Sequence, residues 1–279
     1  MEPMQNKNQM NIDEPAISVK KALDYILNSK DKNSLPINFL KLQKKLNVEE
    51  RFLIRNDPQI VYEIFGININ KLKLNDYYCW DSTTLSLFFF LKSFFRSFSN
   101  IKVLELGCGP YATLSVSLKK KFNSFQFSAS DVNESKVKSA ILTSNINNVK
   151  IDFVISDLFN NIDSKFDVIF MNPPYVPTKF QKQIIGDGSL DSFKKEEWNS
   201  GHGNEDGLFV VKRLLDEALL NLNKNGFIVL GINNYFVSDN TLRRLFKQKG
   251  YTTVNTYKKQ SECIPNGHFS QVYLLNNFN

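Results

Sequence analysis

Two short stretches hold residues whose types and spacing can do chemistry. The first is Val103-Leu-Glu105-Leu-Gly107-Cys-Gly109-Pro-Tyr-Ala112. Glycines at a strand-to-helix turn let a ligand approach the backbone, and the following helix N-terminus favours anionic groups. Gly107-x-Gly109-x-x-Ala112 satisfies the dinucleotide fingerprint, and Asp131 follows Gly107 by about 24 residues, where a carboxylate can bind ribose hydroxyls. On this spacing NAD and S-adenosylmethionine (SAM) compete. Glu105 favours SAM: a carboxylate inside an apolar strand is costly unless paired, and it can serve the cationic amino-acid end of SAM while repelling a pyrophosphate.

The second stretch is Asp167-Val-Ile-Phe-Met-Asn172-Pro173-Pro174-Tyr175. Prolines cannot continue a strand ladder, so the strand stops and a rigid turn presents Asn172 at the carboxyl edge of a sheet. The side-chain oxygen of Asn172 and the backbone carbonyl of Pro173 are both acceptors and together can hold both hydrogens of a planar NH2 group; Tyr175 can stack on the same group. Such a nitrogen is a poor nucleophile because its lone pair is delocalised. Accepting its two hydrogens keeps electron density on nitrogen and aims it at the methyl of a sulfonium, so no strong base is required.

The rest of the chain must position these loops. Its 279 residues allow one large domain or two modest ones. A hydrophobic share of 42%, with 24 Phe and 10 Tyr, excludes a disordered or fibrous chain. Three cysteines, Cys79, Cys108 and Cys263, exclude a disulfide framework and a four-cysteine zinc site, and with the two histidines, His202 and His268, they leave no metal site expected. A reducing, cytoplasmic home fits that usage. The net charge of +7 permits RNA but comes without a polybasic block or a separate recognition domain. No window reaches the ~20 apolar residues of a membrane span, and the N-terminus lacks a signal-peptide pattern.

Residues 1–15 read as a polar, mobile start, residues 16–78 as a small helical region acting as lid or substrate selector, and residues 79–279 as the catalytic domain. From Lys102 strands alternate with helices, which predicts βαβ units and a parallel sheet. Strands are expected at Lys102–Leu106, Phe125–Ser130, Val149–Ile155, Phe166–Met171 and Gly226–Gly231, with helices between them. Tyr251–Tyr257 and Ser270–Leu275 are two strands with no helix between them, so they must pair antiparallel. The Gly-containing polar stretch at 176–205 is too long for an idle loop.

The motifs resemble those of the class I SAM-dependent methyltransferases, and within them the HemK-type protein-glutamine N5-methyltransferases, over roughly Asp81 to Leu275. The pieces that carry the resemblance are Glu105-Leu-Gly107-Cys-Gly109, Asp131 with Asn133, Ser156-Asp157-Leu158, the Asn172-Pro-Pro-Tyr175 (NPPY) motif and Gly203-Asn-Glu-Asp-Gly207-Leu. The resemblance implies an α/β fold, a seven-stranded Rossmann-like sheet with an antiparallel last strand. It implies that Gly107 and Gly109 pass close to SAM, that Asp131 binds its ribose, and that Asp157 with Leu158 meets the adenine. Its activity would be N-methylation of a planar nitrogen, most simply glutamine N5 in a protein such as a translation release factor, leaving S-adenosylhomocysteine. The NPPY motif is shared by adenine N6 enzymes, so a small molecule, RNA or DNA adenine is the alternative acceptor, and a catalytically silent SAM-binding scaffold is a lesser one. Upstream, the family's Pro-rich loop with an acidic residue and Thr is replaced by Tyr78-Cys-Trp80-Asp81-Ser-Thr83-Thr84, where Asp81 and Thr83 occupy the places of cofactor contacts. The segment Lys179–Asn199 also departs from the pattern. Oligomeric state is not legible in the sequence.

Overall fold

The computed structural model describes residues 20–24, 53–70, 79–178, 205–260 and 269–277. The N-terminal start, much of the helical front, the 179–204 stretch with His202, and Cys263 with His268 lie outside the described residues. Short helical turns at 20–24 and 53–56 precede α1 (Pro58–Phe65). Asp57 caps α1 by accepting from the N–H groups of Gln59 and Ile60, each at 3.0 Å, and Pro58 fills a first-turn position where no N–H is needed.

There follow α2 (Ser82–Phe94), β1 (Lys102–Leu106), α3 (Thr113–Lys121), β2 (Gln126–Asp131), α4 (Glu134–Ile146), β3 (Asp152–Ile155) and β4 (Phe166–Met171). After the 179–204 stretch come α5 (Phe209–Asn221), β5 (Leu222–Asn233), α6 (Asp239–Gln248), β6 (Thr252–Gln260) and β7 (Phe269–Asn276). The sheet order is β3-β2-β1-β4-β5-β7-β6, parallel except for β7, which runs antiparallel to both neighbours. The seven-stranded Rossmann-like sheet with its antiparallel final strand is thus the one expected. Strand order reverses between β1 and β4, and at such a switch point the carboxyl ends of the strands open a crevice for ligands.

Alternation along the strands splits the core into two layers. Val103, Val168, Phe170 and Val229 face α2 and α3, whereas Leu104, Ile169, Ile228 and Leu230 face α5 and α6. Much of the phenylalanine fills the first layer: Phe88 meets Phe65 edge-on at 5.0 Å, and Phe95 meets Phe125 at 5.6 Å. Ile54, Ile60 and Phe65 of the helical front belong to this same layer as Phe88 and Val103.

Two strand starts differ from the sequence reading by more than one residue. β3 starts at Asp152 rather than Val149, because Val149 N–H bonds back to the Ser144 carbonyl and closes the end of α4. β5 starts at Leu222 rather than Gly226: the strand carries Asn223-Lys-Asn-Gly226 with Asn225 at φ 65° and a register shift opposite Phe166 and Val168.

Candidate active site

Three loops leave the carboxyl ends of β1, β2 and β4 at the switch point and enclose a cavity of about 450 Å³. Gly107 (φ 68°) and Gly109 (φ 65°) turn the chain from β1 into α3 in the left-handed region, and a β-carbon built at Gly109 meets nothing within 4 Å, so the space above it is open to a ligand. Asp131, at the end of β2, ties two loops together. Its Oδ2 accepts from Gly109 N–H and its Oδ1 from Asn133 N–H, both at 3.0 Å. Each oxygen keeps a further lone pair for a hydroxyl.

Glu105 lies on the face of β1 that looks toward α3 and is only 5% exposed. Helix α3 has no capping side chain of its own, since its N-cap is Ala112 in a left-handed conformation. Glu105 supplies the cap from the neighbouring strand: Oε2 accepts from Ser115 N–H at 3.0 Å and from Ser115 Oγ. No described hydrogen bond engages Oε1, and Glu105 lines a smaller cavity of about 140 Å³ that shares Gly107, Gly109, Thr84 and Asn172 with the larger one. Burial pushes the Glu105 carboxyl up to about 7, against the lowering by Ser115, with Asp131 adding to the rise. A cation arriving at Oε1 would reverse that shift. Burial likewise raises the thiols of Cys79 and Cys108 beside the small cavity, which keeps them protonated.

The third wall is the turn after β4. Asn172 and Pro173 line the cavity, and Asn172 Oδ1 is buried with no hydrogen-bond partner among the described residues. Ser130 Oγ, on the same cavity, is also buried without one. Native interiors satisfy their polar groups, so two orphaned polar atoms on residues that line one cavity mark a place where a ligand completes the bonding. On the far rim, Asp157 accepts from Arg213 Nη1 at 2.9 Å, and Leu158 is held at φ 48° by a turn in which Ser156 Oγ donates to the Leu158 carbonyl at 2.9 Å. A branched side chain at positive φ is strained, and that strain sits beside the cavity.

Of the residues singled out from sequence, Asp81, Gly107, Gly109, Asp131, Asp157, Leu158, Asn172 and Pro173 line the large cavity, and Glu105 the small one. Three line neither cavity. Tyr175 is buried in the core; its ring lies 6.0 Å from that of Phe236 and its hydroxyl shares a 2.8 Å hydrogen bond with Thr83 Oγ1. The prolines turn the chain after Asn172, so the Tyr175 ring braces the turn from beneath instead of stacking on an acceptor. Thr83, fully buried, is spent on that bond. Asn133 caps α4, accepting from Ser135 and Lys136 N–H at 2.9 and 3.3 Å.

The sequence reading missed Thr84, Ser130 and Lys136, all of which line the large cavity. Thr84 had a signal, three residues after an acidic N-cap on the first turn of α2. Ser130 had none, because strict alternation would turn it away from the face shown by Asp131.

Gly207 explains the second glycine motif. At φ 74°, a β-carbon there would sit 2.5 Å from the Tyr175 carbonyl oxygen and 3.0 Å from Pro177 Cγ, so this glycine lets the segment before α5 press on the turn after Asn172. Gly203 and Asn204 of that motif lie outside the described residues. Among the described residues there is no cluster of three or more metal-ligating side chains, and no helix is long and apolar enough to cross a membrane.

Residues 72–187 match the family model of the methyltransferase small domain. A Methanocaldococcus jannaschii protein with the provisional name protein N5-glutamine methyltransferase is 36% identical over 129 residues, 46% of this chain and 60% of that protein. A release factor glutamine methyltransferase of Lactococcus lactis subsp. lactis is 27% identical over 150 residues, 54% of this chain and 53% of that protein. The chain therefore spans roughly half to three fifths of the length of these curated relatives. The crystal structure of a methyltransferase from Pyrococcus furiosus superposes with a TM-score of 0.55 at 19% identity, covering 81% of this chain and 97% of the other.

Proposed function

We propose that the chain is a HemK-like class I methyltransferase, a SAM-dependent N-methyltransferase acting on a planar amide nitrogen. Its substrate is the N5 of glutamine in a protein such as a translation release factor. The observation that carries the reading is the buried, partnerless Oδ1 of Asn172, a residue that lines a ligand-sized cavity next to Pro173. The names of the relatives, an N5-glutamine and a release factor glutamine methyltransferase, support the same acceptor.

The residues fit the cofactor. Glu105 Oε1 would hold its ammonium in the small cavity, Asp131 its ribose hydroxyls, and Asp157 with Leu158 its adenine end. When bound, SAM supplies a methyl group on a sulfonium and leaves as S-adenosylhomocysteine. The chain's own part is orientation. Asn172 Oδ1 and the Pro173 carbonyl each accept one hydrogen of the incoming NH2, which fixes its plane and turns its lone pair toward the methyl. Holding reacting groups in an attack geometry is worth roughly 7 to 11 kcal/mol of barrier. No general base is needed at the transition state, because the nitrogen becomes acidic as it is alkylated and its proton leaves afterwards. Tyr175 and Thr83 position the turn from beneath, and Gly207 from the side.

The test incubates the purified protein with methyl-labelled SAM and a bacterial release factor, followed by proteolysis and mass spectrometry. Label on a glutamine side chain supports the reading. Label on RNA or on a small metabolite with none on the protein would move the acceptor to another class, and no transfer to any of them would return the chain to a SAM-binding scaffold.

A further inference from the structure

The amide of Asn172 can face its substrate in two ways, and only one is productive. With Oδ1 forward it accepts a hydrogen from the incoming NH2; turned by 180° it presents its own NH2, donor against donor. Nothing covalent chooses between the two, so neighbouring groups must.

The neighbours are Asp81 and Thr84. Asn172 Nδ2 lies 3.4 Å from Asp81 Oδ1, 3.5 Å from Asp81 Oδ2 and 3.3 Å from Thr84 Oγ1. A carboxylate can only accept. Thr84 can accept or donate, but its proton is already committed, since Thr84 Oγ1 donates to Asp81 Oδ1 at 2.8 Å. All three oxygens therefore offer Asn172 a lone pair and no hydrogen. A turned amide would set its oxygen against them. The forward amide donates to them and leaves Oδ1, buried and without a partner among the described residues, free to accept from a group entering the cavity that Asn172 lines. The contacts are longer than a relaxed hydrogen bond, as is usual before a substrate draws a site together.

We propose that Asp81, with Thr84 as its second, is the positioning residue that fixes the orientation of the Asn172 amide, rather than a contact to the cofactor. The proposal rests on the N-methyl-transfer reading and deepens it. Asp81 is placed for the task by a structural duty: it is the N-cap of α2, accepting from Thr84 N–H at 2.6 Å, so helix, cap and amide are locked as one unit. Its negative charge also polarises the amide it binds and strengthens Oδ1 as an acceptor.

The test separates the cap from the positioning. Asp81→Asn keeps the volume and a good N-cap but replaces an acceptor-only group with one that can donate to a turned Asn172. Turnover of the labelled acceptor should fall by about tenfold to a hundredfold in kcat, the loss typical of a misplaced reacting group. The KM for the acceptor and the calorimetric Kd for SAM should stay within about threefold of the unmodified protein. Thr84→Val should lower kcat in the same sense but less. In an Asn172→Ala background Asp81→Asn should add nothing, because the residue acts only through Asn172. A second readout needs no acceptor: the side-chain amide resonances of Asn172, assigned by their absence in Asn172→Ala, should move or double in Asp81→Asn. A SAM Kd raised tenfold with kcat intact, losses that multiply in the double variant, or unmoved amide resonances would each overturn the positioning role. If Asn172→Ala itself leaves turnover intact, the function reading fails, a result distinguishable from failure of this proposal.

Discussion

Replacing Glu105 by Gln should make the free protein more stable and the cofactor complex weaker, with a pH dependence that identifies the cause. The carboxyl is buried and pushed from an ordinary 4.5 to about 7. Because the folded state holds this proton more tightly than the unfolded chain, stability falls as pH rises from about 4.5 to about 7, and the full cost remains above that window. At about 1.4 kcal/mol per pH unit, the buried charge costs the apoprotein about 3 kcal/mol at pH 8. Gln keeps an oxygen for Ser115 and carries no charge to desolvate. The melting temperature of Glu105→Gln relative to the unmodified protein should therefore rise between pH 5 and pH 8 by roughly 5 to 10 °C for a chain of this size. Saturating SAM should narrow that gap, since an ammonium at Oε1 stabilises the ionised carboxylate but not the amide. In calorimetry the unmodified protein should lose SAM affinity about tenfold per pH unit below 7 while releasing a proton on binding, and Glu105→Gln should show neither effect. A stability difference that does not change with pH, or a SAM affinity untouched by the substitution, would refute both the buried-charge argument and the place of Glu105 at the ammonium.

Other substitutions test the remaining supports. Gly207→Ala forces a β-carbon to 2.5 Å from the Tyr175 carbonyl at a φ of 74°, and should cost roughly 1 to 3 kcal/mol in thermal unfolding and lower turnover by moving the Asn172 turn. Asp131→Ala frees Gly109 N–H and removes the carboxylate proposed for the ribose, so the SAM Kd measured by calorimetry should rise by ~10- to 150-fold, equivalent to about 1.5 to 3 kcal/mol. Thr83→Val removes the buried partner of the Tyr175 hydroxyl and should cost about 1 to 2 kcal/mol in denaturant unfolding, with SAM affinity unchanged because Thr83 lies off the cavity.

Much of this architecture was legible in the sequence because the signals were local. The apolar run Lys102-Val-Leu-Glu-Leu106 ended at glycine, and Phe166–Met171 ended at the two prolines, so both strands were found where expected. The short link before the last strand gave its antiparallel sense. Side-chain targets were less legible, because they depend on which neighbour reaches a group first. Tyr175 looked like a stacking platform by type, but the turn after Asn172 drives its ring inward to Thr83, some ninety positions away in sequence. Asn133 stood out only beside Asp131 in the resemblance, and its oxygen caps a helix start. Asp81 was placed at the cofactor by resemblance; it lines the cavity, and its bonds to Thr84 and the amide of Asn172 could not be read from the sequence. Glu105 was noticed for its cost within a strand, and the structure adds that half of its carboxylate caps α3.

The central claim, that Asn172 Oδ1 holds a planar nitrogen at a bound sulfonium, is tested most directly by paired measurements on Asn172→Ala. Calorimetry should find SAM binding within about threefold of the unmodified protein, because the proposal assigns the cofactor to Glu105, Asp131 and Asp157. Transfer of labelled methyl to the glutamine side chain of a release factor should fall by at least about a hundredfold, the scale of a lost orienting contact. Transfer that persists in Asn172→Ala, or SAM binding that vanishes with it, would contradict the account.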